Sequence, residues 1–367
     1  MTSVVRTDEL EMLGRMWFPV ARVEDVVDGR PFGAELLGRR LVVYRSGGST
    51  AVAIDRCPHR GARLSNGVVR DETLECPYHG WRWDANGSCA LVPSQPGAHP
   101  AASLESFPAL ERFGLVWTRL SQPADRHDER LSEPPSIPET EAAGEGWAFA
   151  DGQWFDVACG LRSITENFRD SSHFAFVHRD TFGDANPAVP AYSVVRDGWR
   201  LSWTIRLTFG AEWAVDGDGR VRGSKYRFGE TDGADAAAEE MVLHYRFTVP
   251  SLAYVFTEHG PDERRLVAQA AAPLDTDARR TRVFWFVAAN EPFRRRFGGL
   301  ETQVEIERKV FSEDVRIVEA LDPTEAPLDL EGQAHVRADR YSIAYRKLYA
   351  ELIEAVRGGL TRAADRG

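Results

Sequence analysis

Apolar and polar positions along the chain change their period at two places. From Trp17 to about Leu120, runs such as RRLVVYRSGG, TAVAIDR and GLVWTRL alternate apolar and polar residues between glycine-rich turns, which predicts a small β module. Residues 121–146 carry almost no large apolar side chain and are rich in Pro, Glu, Ala and Ser. That is linker composition, and it separates a domain over 1–120 from one over 147–367. Beyond it, a helical stretch near 160–178 precedes strand patterns in YSVVRDGWRLSWTIRLTF, EMVLHYRFTV, LAYVFTEH, RRLVAQAAA and TRVFWFVAAN. Two helices close the chain, over about 297–321 and 334–358. In the second, Tyr341, Tyr345, Leu348, Leu352 and Val356 recur at spacings of three and four, so one face packs on the sheet. Strands followed by helices make the second domain α+β with an antiparallel sheet.

Length and composition agree with this division. A chain of 367 residues exceeds the roughly 250–300 at which single cores stop growing. With 43% hydrophobic and 28% charged residues it reads as an ordinary globular protein. A net charge of −11 argues against a general nucleic-acid binder. The start, MTSVVRTDELEMLGRMWFPV, lacks the apolar run of a signal peptide, and no stretch reaches the roughly 20 apolar residues of a membrane span. These features place the protein in the cytoplasm, away from membranes. Four cysteines in so long a chain do not make a disulfide framework, and in a reducing compartment they stay as thiols or metal ligands.

Their spacing gives them meaning. Cys57 and His59 form C-x-H, and after sixteen residues Cys76 and His79 form C-x-x-H. Two Cys and two His also satisfy a structural zinc. A [2Fe–2S] cluster with two thiolates on one iron and two imidazoles on the other needs each loop to deliver one Cys and one His, which this spacing does. On these four residues together with CPYHGW, the sequence resembles the Rieske domain. Neutral imidazoles in place of two thiolates raise the potential, so such a cluster accepts electrons from a carrier and passes them on. Cys89 and Cys159 stand alone as free thiols.

A second site is suggested by ENFRDSSHFAFVH, which sets Asn167, Asp170, His173 and His178 among large apolar residues. Non-haem Fe(II) oxygenases hold iron on one face with two His and one carboxylate. The helix LETQVEIERKVFSEDVRIVEAL supplies the acid: at about 100° per residue, Asp314 falls near the centre of an apolar arc. Glu307 shares the arc and is the runner-up, while Glu313, Arg316 and Glu319 fall outside it. In a continuous helix His173 and His178 would point about 140° apart, so the helix is expected to loosen between them.

Taken together, the Rieske module, the linker, ENFRDSSHFAFVH and SEDVRIVEA resemble the catalytic subunit of Rieske non-haem iron oxygenases over nearly the whole chain. The branch with vanillate O-demethylase and dicamba monooxygenase is the most similar. The resemblance implies a helix-grip catalytic domain, a homotrimer, and electrons from NAD(P)H through a ferredoxin and/or flavin reductase. It also implies that Asp170 bridges His173 and His79 of the partner subunit, with Asn167 in a supporting or gating role. The reaction implied is O2-dependent monooxygenation, by hydroxylation or oxidative O- or N-demethylation, of a small aromatic substrate. Natural-product tailoring and ring dihydroxylation share these motifs. Readings from other classes are a Rieske electron carrier or sensor and a zinc-stabilised ligand-binding module. For the substrate pocket the strands offer His244, Arg246, Tyr254, Phe256 and Trp285, although sequence does not say which strand face meets the iron.

Overall fold

A computed structural model describes residues 7–98, 100–121, 133–142, 146–182, 187–210, 214–215, 221–222 and 238–364. The chain divides into two compact units between Pro135 and Ser136, inside the expected linker. It returns to the first unit twice, with Ala272–Asp277 and again from Val356. Backbone geometry explains the first return. Leu37 and Gly38 donate their N–H groups to the carbonyls of Pro273 and Leu274, each at 2.8 Å. Gly38 has φ +73°, and a Cβ there would come within 3.2 Å of Thr276. In the second return Arg357 pairs with Asp8, its Nε 3.0 Å from the carboxylate.

The first unit is mostly short antiparallel strands, preceded by one helix over Thr7–Gly14. Phe32–Leu36, Arg39–Ser46, Ser49–Ile54 and Ser106–Phe107 make one four-stranded sheet. Val68–Arg70, Thr73–Glu75, Arg82–Trp83 and Cys89–Leu91 make another. Tyr44, Leu64, Leu74 and Trp83 are buried with Cys57 and Cys76 in one core cluster, so the two cysteines are anchored in apolar packing.

The second unit is an antiparallel sheet with helices. Its strands are β1 (Trp147–Val157), β2 (Val195–Asp197), β3 (Arg200–Gly210), β4 (Ala238–Thr248), β5 (Leu252–His259), β6 (Glu263–Pro273) and β7 (Thr281–Asn290), in the order β1-β7-β6-β5-β4-β3-β2. The stretch expected as one helix near 160–178 is three short ones: α1 (Leu161–Asn167), α2 (Phe174–Val177) and α3 (Arg179–Phe182). The break follows from Asp170, whose carboxylate accepts the Ser172 N–H at 2.8 Å and so turns the chain out of the helix. His173 and His178 cap the two ends of α2, so the helix breaks before His173 and a helical turn joins the two histidines, where a loosening between them was expected.

Helix α4 (Glu291–Phe297) starts on an Asn290 cap that accepts the Phe293 N–H at 3.1 Å, and it stops at Gly298, φ +92°. Helix α5 (Leu300–Val318) is therefore separate and begins after this glycine pair. Its apolar side packs Val304 and Phe311 against Val267, Trp285 and Val287 of the sheet. Helix α6 (Arg340–Ala364) starts later than expected, because Asp339 accepts the Val336 N–H at 2.6 Å and closes a turn first. Its Tyr341 stacks on Trp203 with ring centres 4.4 Å apart, and Tyr345 meets Phe247 edge to face at 5.1 Å.

Candidate functional site: two metal-binding constellations

Cys57 and Cys76 lie in turns of the same design. Cys57 N–H donates to Ala62 O and Gly61 N–H to Cys57 O, both at 2.8 Å. Cys76 N–H donates to Trp81 O at 2.8 Å and Gly80 N–H to Cys76 O at 3.0 Å. Gly61 and Gly80 take φ +76° and +69°, which a side chain would resist, so each Cys-Pro run needs its glycine four residues on. Both sulfurs are buried, and burial followed by the neighbouring Cys76 raises the Cys57 thiol. The His59 and His79 rings lie 4.6 Å apart, and His59 stacks on Trp81 at 4.3 Å. The His59 Nδ1 is shut off from solvent and has no hydrogen-bond partner. A buried ring nitrogen without a proton partner, beside two buried thiols, is what a metal cluster would satisfy. Cys89 and Cys159 are free thiols elsewhere.

In the second unit, α2 and α5 bring His173, His178 and Asp314 together. His173 Nε2 and His178 Nε2 are 3.1 Å apart, and each is 3.3 Å from Asp314 Oδ1. With metal–ligand bonds of about 2.1 Å, adjacent octahedral ligands stand about 3 Å apart, so this triangle fits one face of an octahedron. The remaining face is left for other ligands. Burial opposes charge here, yet the two imidazoles hold the Asp314 carboxyl down at about 2. Burial likewise lowers His173, but Asp170 and Asp314 outweigh it and carry the ring up to about 9.

Three neighbours fix these ligands. His178 Nδ1 meets Glu313 Oε2 at 2.8 Å, and the other Glu313 oxygen accepts from Thr181 Oγ1 at 2.7 Å. Asn167 Nδ2 donates to Asp314 Oδ1 at 3.2 Å. Asp170 Oδ2 lies 3.4 Å from His173 Nδ1, a longer contact, while both Asp170 oxygens accept from the Ser172 hydroxyl. The helical arc that excluded Glu313 was drawn toward the sheet alone. The residue is buried because α2 and α3 cover a second side of α5, and periodicity carries no signal for that. Glu307, the other acid on the arc, is paired with Arg265 instead of the triad.

The Rieske [2Fe-2S] domain family matches residues 16–108, and the vanillate O-demethylase oxygenase C-terminal domain family matches residues 157–355. The chain belongs to the Rieske non-haem iron oxygenases. Methylxanthine N1-demethylase NdmA of Pseudomonas putida is 29% identical over 98% of this chain and 94% of its own length. The oxygenase component of dicamba O-demethylase from Stenotrophomonas maltophilia is 33% identical over 50% of this chain and 52% of that protein. The solved structure of Pseudomonas putida CBB5 NdmA with caffeine is similar at a TM-score of 0.77 and 26% identity, covering 96% of this chain and 94% of that one.

Beside its triad, the oxygenase has a cavity of about 100 Å³. Leu243, Tyr245, Val255, Thr257, His259, Arg265 and Val267 line it from β4, β5 and β6, facing Ile306, Glu307 and Val310 of α5. Register explains the set: Leu243 pairs Thr257, Tyr245 pairs Val255, and Val255 pairs Val267, so one strand parity points inward. Of the strand residues offered from sequence, His244, Arg246, Tyr254 and Phe256 have the other parity, and none of the five lines this cavity. His244 faces Phe256 and Glu258, while Arg246 and Tyr254 both reach Glu139, at 3.3 and 2.7 Å. Trp285 has its ring 4.9 Å from Phe311 in the sheet–helix core, again outside the cavity. Two cavity groups went unmentioned in the sequence reading. One is His259, buried and held neutral: burial, then Arg265, Arg296 and Arg264, bring it down to about 3. The other is Arg169, whose burial lowers it to about 9.

On the far side of Asn167 and His173 lies an open cleft of about 360 Å³, and Asp170 lines this cleft and not the triad cavity.

Proposed function

We propose that this oxygenase removes a methyl group from oxygen or nitrogen on a small aromatic or heteroaromatic substrate, with iron held by His173, His178 and Asp314. The facial triangle beside a mostly apolar cavity is the observation that supports the reading most directly. The four residues Cys57, His59, Cys76 and His79 hold the [2Fe–2S] cluster, which takes electrons from a reductase or ferredoxin. When bound, the cluster supplies single electrons and the iron activates O2 for insertion into a methyl C–H bond, after which the hydroxymethyl group leaves as formaldehyde. The demethylase names of the relatives favour this outcome over ring dihydroxylation.

The chain's own side chains set up that chemistry. Glu313 accepts the Nδ1 proton of His178 and so turns the Nε2 lone pair into the triangle. Asn167 steadies the Asp314 oxygen that faces both imidazoles. Leu243, Val255, Val267 and Val310 keep the cavity dry. Asp170 lies in the open cleft with about a third of its side chain exposed, and His79 is exposed beside Tyr78, itself 65% exposed. In a homotrimer these two would meet, with Asp170 accepting an N–H from His79 of the partner subunit. Electrons would then cross between subunits. The absence of a disulfide among the four cysteines fits a reducing cytoplasm, and no helix of the described residues is long and apolar enough to cross a membrane.

The test supplies a reductase and O2 with methoxy- and N-methyl-aromatic compounds and measures O2 uptake and formaldehyde. Equal amounts of the two are expected, and Asp170→Ala should retain cluster colour while losing turnover. O2-dependent dihydrodiols without formaldehyde would overturn the demethylation reading. Unmutated rates in Asp170→Ala would remove Asp170 from the electron path.

A further inference from the structure

One cation in the wall of the triad cavity has no described carboxylate paired with it. Arg169 is 2% exposed and lines the cavity, with its guanidinium carbon 3.7 Å from the centre of the Phe168 ring. Its Nη1 donates to the Phe168 carbonyl at 3.2 Å. Nε and Nη2 are closed to solvent and have no hydrogen-bond partner. These two nitrogens form one edge of the planar guanidinium, and their parallel N–H bonds match the two oxygens of a carboxylate.

Several other polar groups of the cavity are engaged, although Arg265 Nε also has no hydrogen-bond partner. Arg265 is paired with Glu307, Asp314 lies against the two histidines, and the Tyr245 hydroxyl is 3.0 Å from Ser171 Oγ. None of them is hydrogen-bonded to Arg169, although Glu307 favours its charge from a distance. A neutral carbonyl would satisfy one N–H but leave the buried charge unmatched, whereas an anion answers both demands.

We infer that this oxygenase takes an anionic substrate whose carboxylate docks edge-on against Nε and Nη2 of Arg169, with the rest of the molecule against Leu243, Val255, Val267 and Val310. The inference rests on the proposed reading of the triad cavity as the substrate site and names the substrate's charge. It makes Arg169 a binding residue that selects against neutral analogues of the same shape.

Calorimetric titration without O2, on protein with both metal centres loaded, compares the three isomeric methoxybenzoates with the matching methoxybenzamides. At least one benzoate should bind ~10-fold or more tightly than its amide, since the two match in shape while the amide lacks the charge and one of the two acceptor oxygens. Arg169→Met should weaken that benzoate at least about 30-fold and leave the amide unchanged. Arg169→Lys should fall between, because it keeps the charge and loses the planar edge. Cluster absorption and iron content report whether each variant is folded, and the benzoate-to-amide ratio of the unmutated protein needs no variant. The inference is overturned if amides bind that protein as tightly as benzoates, if no benzoate binds, or if Arg169→Met binds benzoate undiminished. Anion binding through Arg169 with no formaldehyde from any methylated anion would sink the demethylation reading and leave this one standing. Demethylation of neutral probes, undisturbed by Arg169→Met, would do the reverse.

Discussion

Cys57–His59 and Cys76–His79 sit in two turns closed by the same pair of backbone hydrogen bonds, each with a glycine four residues after the cysteine. His173, His178 and Asp314 have no such local frame: α2 and α5 meet across 135 residues of chain, and Glu313 and Asn167 hold the ligands by side chain. The first arrangement is set by the conformation of a few consecutive residues. The second exists only once the whole catalytic unit has packed. A ligand in a backbone-built turn should therefore tolerate changes around it, while the triad should respond to residues that never touch metal.

The largest effect should come from the turns themselves. His79→Ala should abolish the cluster's visible absorption, since one iron would lose a ligand, while Cys89→Ala should keep it in full. Retained colour in His79→Ala would show that the spacing does not define the ligand set.

A smaller effect is expected from the residue that orients His178. Glu313→Gln should weaken iron binding at the triad by about 10–100-fold, the usual range for such hydrogen-bonding partners. Glu307→Gln should leave iron affinity nearly unchanged, because Glu307 faces Arg265. Equilibrium dialysis of Fe(II) against each variant measures this. Equal losses would mean that the wall of the cavity, and not the Glu313 contact, positions the imidazole.

The smallest effect concerns acid. His259 is held at about 3 in the folded protein, mainly by burial, against about 6.5 for an unfolded histidine. The unfolded chain binds the extra proton, so the stability this neutral ring supports is complete above about 6.5 and declines as pH falls toward 3. Between pH 6.5 and 5 the loss is about 2 kcal/mol. Melting followed by the tryptophan fluorescence of the catalytic unit should show a smaller acid-induced fall of Tm in His259→Gln than in the unmutated protein. An equal fall in both would assign the acid sensitivity elsewhere.

What was legible in the sequence follows the same contrast. The two Cys–His turns proposed to hold the cluster could be read from spacing because local turns write themselves into local order. Asp314 could be read because a carboxylate on an apolar helical arc is costly without a partner. Glu313 could not: its covering surface is α2 and α3, and a helical wheel with a single core direction has no place for a second. The strand face was equally hidden. On β4 and β5 both parities carry large residues, Leu243 and Tyr245 on one and His244 and Arg246 on the other, so only cross-strand register tells which set meets the cavity. Nor did PLDTDA, an ordinary turn by composition, reveal that residues 272–277 rejoin the first unit through Leu37 and Gly38.

The central claim is that two independent iron centres occupy these two sites, and counting iron and acid-labile sulfide per chain tests it. The unmutated protein should hold about three irons and two sulfides, as one [2Fe–2S] cluster and one mononuclear site require. Asp314→Ala should hold about two irons and two sulfides, with cluster colour intact and formaldehyde formation lost. If Asp314→Ala keeps about three irons, or loses cluster sulfide along with the third, the assignment of the triad as a separate iron site is wrong.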